Sequence, residues 1–307
     1  KMKQMVTEGG DPKVESHRFK DVPTFGDFVA ERYLPYAKTR KRSWETDETM
    51  LRNHLLPVFA EFRMNRITRS DVVAFHHAVF EKGYAAGTCN RMIVLMKFIY
   101  NCAIRWDILP PKSNPCDGVE PFEDHGARER YLTTDEVQRL FDELDTNRNV
   151  QVGQVIRLLL YTGARKREIL DATWEEVSME RKTLRVPLSK SGKPRLIPLS
   201  SAALALLEKV PRFEGCPYVV PNPETKKPFV AIYLSWDNAR KRAGLPEVRM
   251  HDLRHSYASS LVNAGTSIYV VSKVLGHSQI KNTMRYSHLS QETLLDAAEK
   301  VAEALGV

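Results

Sequence analysis

Four short stretches of this chain bring together side chains suited to phosphodiester chemistry. Arg165 and Glu168 follow a Thr162-Gly163 break. His251-Asp252-Leu253-Arg254-His255 lies further on, then Leu275-Gly276-His277, then Tyr286 nine residues after that histidine. Arginine grips phosphate oxygens through a planar fork of donors. Histidine moves protons near neutral pH. Tyrosine can act as a covalent nucleophile. The set therefore points to transfer of a phosphoryl group onto a tyrosine.

Each piece also has an ordinary reading. Arg165 and Glu168 share a face if a helix starts at the break, although Lys166 and Arg167 beside them also fit a basic surface turn. His251, Arg254 and His255 fall near one helical face. A His-x-x-x-His spacing can hold zinc. Here Asp252 stands where a metalloprotease motif has glutamate, and Arg254 would set a cation beside the metal, so phosphate handling is preferred for His251 and Arg254. His255 reads as a hydrogen-bonded core histidine. Gly276 looks like a helix C-cap, which would leave His277 beside the helix dipole. Tyr286 is one of 11 tyrosines, and Tyr161, Tyr257 and Tyr269 sit in apolar patterns that read as core.

The elements that must position these groups are mostly helical. Residues 1–23 read as a polar tail or linker. From Phe25 to about Ile108 apolar residues recur at helical spacing and predict four helices in a small bundle. Pro110, Pro111, Pro115, Gly118 and Pro121 break the pattern, so 109–129 reads as an interdomain linker. Thr133-Thr134-Asp135-Glu136 is a capping box opening a helix through Leu144. Ile156–Tyr161 reads as a helix end stopped by Gly163. Leu184, Val186 and Leu188 alternate with polar residues, and Arg195, Ile197 and Leu199 oppose Leu196, Pro198 and Ser200. Ser189–Lys193 would turn between them as a β-hairpin. After Ser200 the pattern is helical again except at 221–228. The tail Ser290–Val307 carries an amphipathic stripe of Leu294, Ala297, Ala298, Val301 and Leu305. The predicted fold class is mainly α with a small antiparallel β-sheet.

Bulk composition agrees with a DNA partner. Of 307 residues, 46 are Lys or Arg and 38 are Asp or Glu, for a net charge of +8. The excess is spread: residues 1–130 hold 21 basic and 18 acidic side chains, the remainder 25 and 20. Both parts could therefore meet a polyanion. Cys89, Cys102, Cys116 and Cys216 have no Cys-x-x-Cys spacing, which favours reduced thiols over zinc or disulfides. No apolar run approaches the roughly 20 residues needed to span a bilayer. No signal peptide is evident. The first residue is Lys1, so an upstream segment is expected.

Taken in order, Arg165 with Glu168, Lys190 in the hairpin, His251-x-x-Arg254, Leu-Gly-His277 and Tyr286 strongly resemble the tyrosine recombinase family of phage-integrase-like enzymes. The resemblance covers roughly 131–307 and extends more loosely to the helical bundle. It implies a core-DNA-binding domain at 24–108 and a catalytic domain at 130–289, forming a clamp on DNA. Tyr286 would attack the scissile phosphorus, release the 5′-oxygen and form a 3′-phosphotyrosyl bond, with neither ATP nor metal. No cofactor is expected. Arg165 and Arg254 would clamp the nonbridging oxygens. Lys190, rather than its rival Lys193, would protonate the leaving oxygen. His251 would accept the tyrosine proton or bond the phosphate, His277 would donate to a nonbridging oxygen, and Glu168 would orient its neighbours. Lys166-Arg167 departs from the apolar and small residues usual there. Lys38, Arg40, Lys41, Arg42 and Arg91 are candidate phosphate contacts in the bundle. The resemblance also implies double-stranded DNA recombination sites as partner, a homotetramer in the synapse, and a C-terminal helix at 290–307 docking on a neighbouring subunit, with packing in cis as the other reading. A bacterial or phage-encoded, cytoplasmic and nucleoid-associated protein is expected. The competing readings are a type IB topoisomerase-like relaxing enzyme, a helical DNA-binding regulator without catalysis, and a metal-dependent nuclease.

Overall fold

The structure, a computed structural model, describes residues 21–124, 130–146, 149–187, 194–277 and 279–290, with Val301 and Leu305. The chain divides into two compact units at residues 128 and 129. The described residues are mainly helical, with one three-stranded antiparallel sheet. No described helix is long and apolar enough to cross a membrane.

Four helical stretches build the first unit. α1 runs through Phe25–Phe28, a π-helical turn Val29–Tyr33 and Leu34–Arg40. α2 repeats this design with Trp44–Met50, a π turn Leu51–Leu55 and Leu56–Phe59. Both π turns precede a Leu-Pro pair, Leu34-Pro35 and Leu56-Pro57. Proline lacks the N–H that the helical ladder needs and crowds the preceding turn; a widened turn relieves both without breaking the helix. α3 spans Arg69–Glu81 and α4 spans Ala86–Arg105. Thr68 caps α3, accepting from the Asp71 N–H while the Asp71 carboxylate accepts from Thr68. Asp71 is thus the third helical residue. Phe25, Tyr33, Leu51, Leu55, Val72, Met92, Met96 and Ile99 form the core.

The stretch expected to be a free linker behaves differently over its described part. Residues 109–124 contain no helix or strand. Yet Leu109 and Cys116 are buried in the bundle core, Asn114 donates to the Lys97 carbonyl, and Phe122 stacks on His76 and Phe80. The prolines end regular structure here, but the apolar residues between them still bury. This strap belongs to the first unit.

The second unit opens with α5 (Thr134–Asp145), which has the predicted Thr133–Glu136 capping box. α6 (Val150–Thr162) is mostly buried from Val152 onward and ends at Gly163, which has φ of +59°. A Cβ at Gly163 would lie 2.3 Å from Tyr257 Cδ1, so both the turn and the close approach require glycine. The short α7 (Lys166–Leu170) follows at once. The strands are β1 (Val177–Ser178), β2 (Thr183–Val186) and β3 (Arg195–Pro198), ordered β1-β2-β3. Leu184 pairs with Ile197 and Val186 with Arg195. Leu184, Val186, Ile197 and Leu199 face the core, whereas Leu196 is 60% exposed. The hairpin tip, including Lys190 and Lys193, lies outside the described residues.

α8 (Ser201–Lys209), α9 (Tyr233–Arg242), α10 (Asp252–Asn263) and α11 (Ile268–Leu275) complete the regular elements. The irregular stretch between α8 and α9 is longer than the expected 221–228. Val219, Val220, Phe229 and Ile232 from it still enter the core beside Trp236. Two 3₁₀ turns, Ile280–Asn282 and Met284–Ser290, close the described chain. Most of the predicted C-terminal helix, 290–307, lies outside the described residues.

Candidate active site

The site is organised around the C-terminus of α11. The four last carbonyls of a helix have no partner within it, and their dipoles carry partial negative charge. Gly276, at φ of +65°, turns the chain there, and the His277 N–H closes the turn on the Ser272 carbonyl. Three successive carbonyls are then met by three arginines from three different places in the sequence. Arg195 donates to Val274 (2.7 Å), Arg254 to Leu275 (2.6 Å) and Arg165 to Gly276 (3.2 Å). Arg254 also reaches the Gly163 carbonyl at 2.6 Å, tying the end of α6 to the end of α11. A Cβ on Gly276 would meet Arg195 Cδ at 2.7 Å, so glycine lets the guanidinium approach.

Glu168 is the counterion. Its carboxylate lies 2.8 Å from Arg165 and 2.6 Å from Arg195, and it also accepts the Arg165 backbone N–H. Arg165 is the N-cap of α7 and Glu168 its third residue, so the predicted shared face takes the form of a capping box. Burial would raise the Glu168 carboxyl; the hydrogen bonds and charges of Arg195, then of Arg165, overcome it and hold the group below its usual range. One carboxylate faces three guanidinium groups. The surplus shows in Arg254, which is 4% exposed and pushed down to about 10 by burial and then by Arg165 and Arg195. Among the described residues, two of its five N–H donors bond carbonyls.

Arg195 was not among the residues singled out from sequence, although it belongs there. The cue was present: Arg195 shares a strand face with Ile197 and Leu199, both buried. An arginine directed inward on a half-buried strand needs a carboxylate or carbonyl partner. Arg167 plays the humbler part, pairing with Asp171 and donating to the Phe229 carbonyl.

Tyr286 lies in the Met284–Ser290 turn, only 5% exposed, within a small cluster of Ala258, Val262, Val271 and Leu275. Its hydroxyl is hydrogen-bonded to Nδ1 of His255. His255 is hydrogen-bonded, as its reading as a core histidine expected, but it is half-buried and its partner is the candidate nucleophile. His251, expected to meet the tyrosine, is the exposed N-cap of α10 and packs edge-on against His255, ring centroids 4.8 Å apart. His277 is near the same helix end and bonds the Thr283 hydroxyl at 2.8 Å. Burial raises the Tyr286 phenol, with Arg285 and Arg254 pulling it back. Tyr161 and Tyr257 are half-buried, but Tyr269 is 61% exposed and so is not core.

The bundle's basic candidates also separate. Lys38, Arg40, Arg42 and Arg91 are exposed. Lys38 lies over the Trp44 ring with its ammonium 4.0 Å from Glu48, an exposed pair, and Arg40 lies over Tyr36. Lys41 is different: its ammonium bonds Asp47 at 2.7 Å and covers the Phe98 ring, so its charge is used within the bundle.

The histidines make folding of this unit sensitive to acid. Burial comes first in lowering His255 and His277, each to about 4, and neighbouring cations add to it. The unfolded chain would take up a proton on each ring near pH 6.5, while the folded chain resists until about pH 4. Stability is therefore complete above pH 6.5 and falls as pH drops through that window, by on the order of 2 kcal/mol apiece at pH 5. Glu168 adds its loss only further down. Thermal melting should drop between pH 7.5 and 5, and His277→Asn should flatten the drop. A melting temperature constant over this range would refute the assignment.

Comparison with known proteins agrees with the geometry. The profile of the phage integrase family matches residues 130–293, and that of its N-terminal SAM-like domain matches 24–80. The chain is 28% identical over 245 residues to a tyrosine recombinase of Thermosipho africanus, covering 78% of this chain and 86% of that one. It is 30% identical over 248 residues to the integrase of Haemophilus phage HP1, covering 79% of this chain but 66% of the relative. Its fold matches that of a lambda integrase solved as a tetramer bound to a Holliday junction, with a TM-score of 0.70 at 16% identity, over 92% of this chain and 83% of that one. The chain belongs to the phage integrase family of tyrosine recombinases.

Proposed function

We propose that this chain is a site-specific recombinase that cuts and rejoins DNA through a 3′-phosphotyrosyl intermediate on Tyr286, without ATP or metal. The observation carrying this reading is the convergence of Arg165, Arg195 and Arg254 on one helix end, with the Tyr286–His255 pair alongside. Arg165 and Arg254 turn remaining donors to the nonbridging oxygens and offset charge that grows in the transition state. That charge compensation is the part a metal clamp plays in other phosphoryl-transfer sites. Arg195 and Glu168 hold Arg165 in place. His277 donates to a nonbridging oxygen, and Lys190 protonates the departing 5′-oxygen. The phosphotyrosyl ester conserves the energy of the broken linkage, so rejoining needs no ATP.

Both units contact duplex DNA, the first through Lys38, Arg40, Arg42 and Arg91 on phosphates. Synapsis uses a homotetramer of the kind seen for lambda integrase. The C-terminal segment 290–307 docks on a neighbouring subunit. The protein works on the nucleoid in the cytoplasm. The test is trapping on nicked suicide duplexes made from DNA flanking the gene. An SDS-stable adduct should form in EDTA on particular sequences. Adduct formation that needs a divalent metal would reject the reading, and relaxation of any supercoiled plasmid regardless of sequence would assign a topoisomerase instead.

A further inference from the structure

We infer that His255, rather than His251, is the side chain that exchanges a proton with Tyr286 during strand cleavage and rejoining. This rests on Tyr286 being the nucleophile. The two histidines are one helical turn apart and chemically alike, and position separates them. His251 is the N-cap residue of α10, and its side chain makes no capping hydrogen bond. His255 sits on the first turn of α10, half-buried, with Nδ1 on the Tyr286 hydroxyl and its ring 5.8 Å from the tyrosine ring at 52°. His251 packs edge-on against the His255 ring, and among the described residues the hydrogen bond to the Tyr286 hydroxyl comes from His255. A proton leaving the phenol has an acceptor already in contact with it, and general-base catalysis begins with that contact.

Without DNA the surroundings leave His255 neutral but weakly basic, lowered to about 4, beside a phenol that burial raises. The groups facing His255 are His251 and Arg254 on its own helix, Arg285 beside Tyr286, and His277 after α11. Burial and these neighbours keep the ring neutral at neutral pH, so Nδ1 carries a lone pair when the ring proton is on Nε2. A bound phosphodiester would bring negative charge among the same cations and raise the basicity of His255 as attack begins. In cleavage the Tyr286 O–H bond breaks and its proton passes to Nδ1. The phenolic oxygen bonds phosphorus, the P–O5′ bond breaks, and the 5′-oxygen takes a proton from the general acid assigned to Lys190. In rejoining the 5′-hydroxyl returns its proton to that acid and attacks phosphorus. The P–O bond to tyrosine then breaks, and the imidazolium of His255 gives its proton back to Tyr286.

A histidine that merely holds the tyrosine ring would sit in the same place. The experiment therefore measures single-turnover adduct formation on the nicked duplex for full-length His255→Asn, which keeps a hydrogen-bonding amide near the Nδ1 position but cannot take a proton. His255→Gln and His251→Gln are measured beside it. Each is repeated with 3,5-difluorotyrosine at position 286, a more acidic phenol that needs less help from a base. DNA-binding and melting controls identify the folded variants. His255→Asn is expected to slow cleavage by roughly 10²- to 10⁴-fold, with most of the loss recovered by difluorotyrosine. Near-normal cleavage by either folded amide variant overturns the inference, and so does a loss that difluorotyrosine leaves unchanged. Should neither amide variant fold, His251→Gln decides: a loss recovered by difluorotyrosine makes His251 the base and overturns the inference, and an unrecovered loss or none supports His255. Failure of the underlying reading looks different, because the unaltered chain would then form no adduct.

Discussion

Tyr286→Phe is expected to bind its DNA sites with unchanged affinity and to form no covalent adduct. The substitution removes one oxygen. The ring stays in its apolar cluster with Ala258, Val262, Val271 and Leu275, where phenylalanine fits as well as tyrosine. The lost hydrogen bond to His255 costs about 1 kcal/mol, so the variant should remain folded. The arginines at the α11 terminus, which would hold the phosphate, are untouched. Binding therefore persists while cleavage falls to background, since no other side chain carries the nucleophile. Gel shift and denaturing electrophoresis of one reaction separate the two quantities. An SDS-stable adduct formed by the Phe variant would remove Tyr286 from its role.

Arg254→Ala should have the second largest effect, in two measurable parts. The first is stability. Arg254 bonds the Gly163 and Leu275 carbonyls from within the fold, and each carbonyl left without a partner costs about 1–3 kcal/mol. The second is cleavage, which should lose about 2–4 kcal/mol of transition-state stabilisation. Arg165→Ala separates these parts. Arg165 is 25% exposed at its side chain, and Arg195 still pairs with Glu168 when Arg165 is gone. It should lose cleavage to a similar degree with a much smaller drop in melting temperature. Arg254→Lys should not restore function, because the three donors of an ammonium radiate from one atom and lack the span of the guanidinium fork that reaches carbonyls on two elements. Melting curves with single-turnover cleavage rates, taken where each variant is folded, check both parts. Near-normal cleavage by folded Arg254→Ala would contradict the clamp.

Local signals account for much of the architecture. The capping box at Thr133, the stop at Gly163 and the turn at Gly276 occur where their residue types require them, since caps and left-handed turns depend on a few neighbouring atoms. The alternation in β3 places Ile197 and Leu199 inward, and it placed Arg195 with them. The partner of that arginine, Glu168, is 27 residues away, and only the folded unit supplies it. The 109–124 strap shows the converse. Its prolines correctly mark the end of regular structure, but proline says nothing about burial, and Leu109 and Cys116 pack into the bundle.

By itself, then, the sequence determined the chemistry: an ordered set of arginines, histidines and a tyrosine, and the helices and hairpin that carry them. Side-chain types and short spacings suffice for that, because functional groups and local backbone preferences belong to the residues themselves. Tertiary structure decided which of these groups meet. His251 and His255 have equal credentials as an i, i+4 pair, and only the return of the chain 31 residues later sets Tyr286 on His255. Arg165, Arg195 and Arg254 become one cluster only because α11 ends among them and offers three successive carbonyls. Long-range closure selects between alternatives that local spacing leaves equal, and in this protein the site is built by that closure.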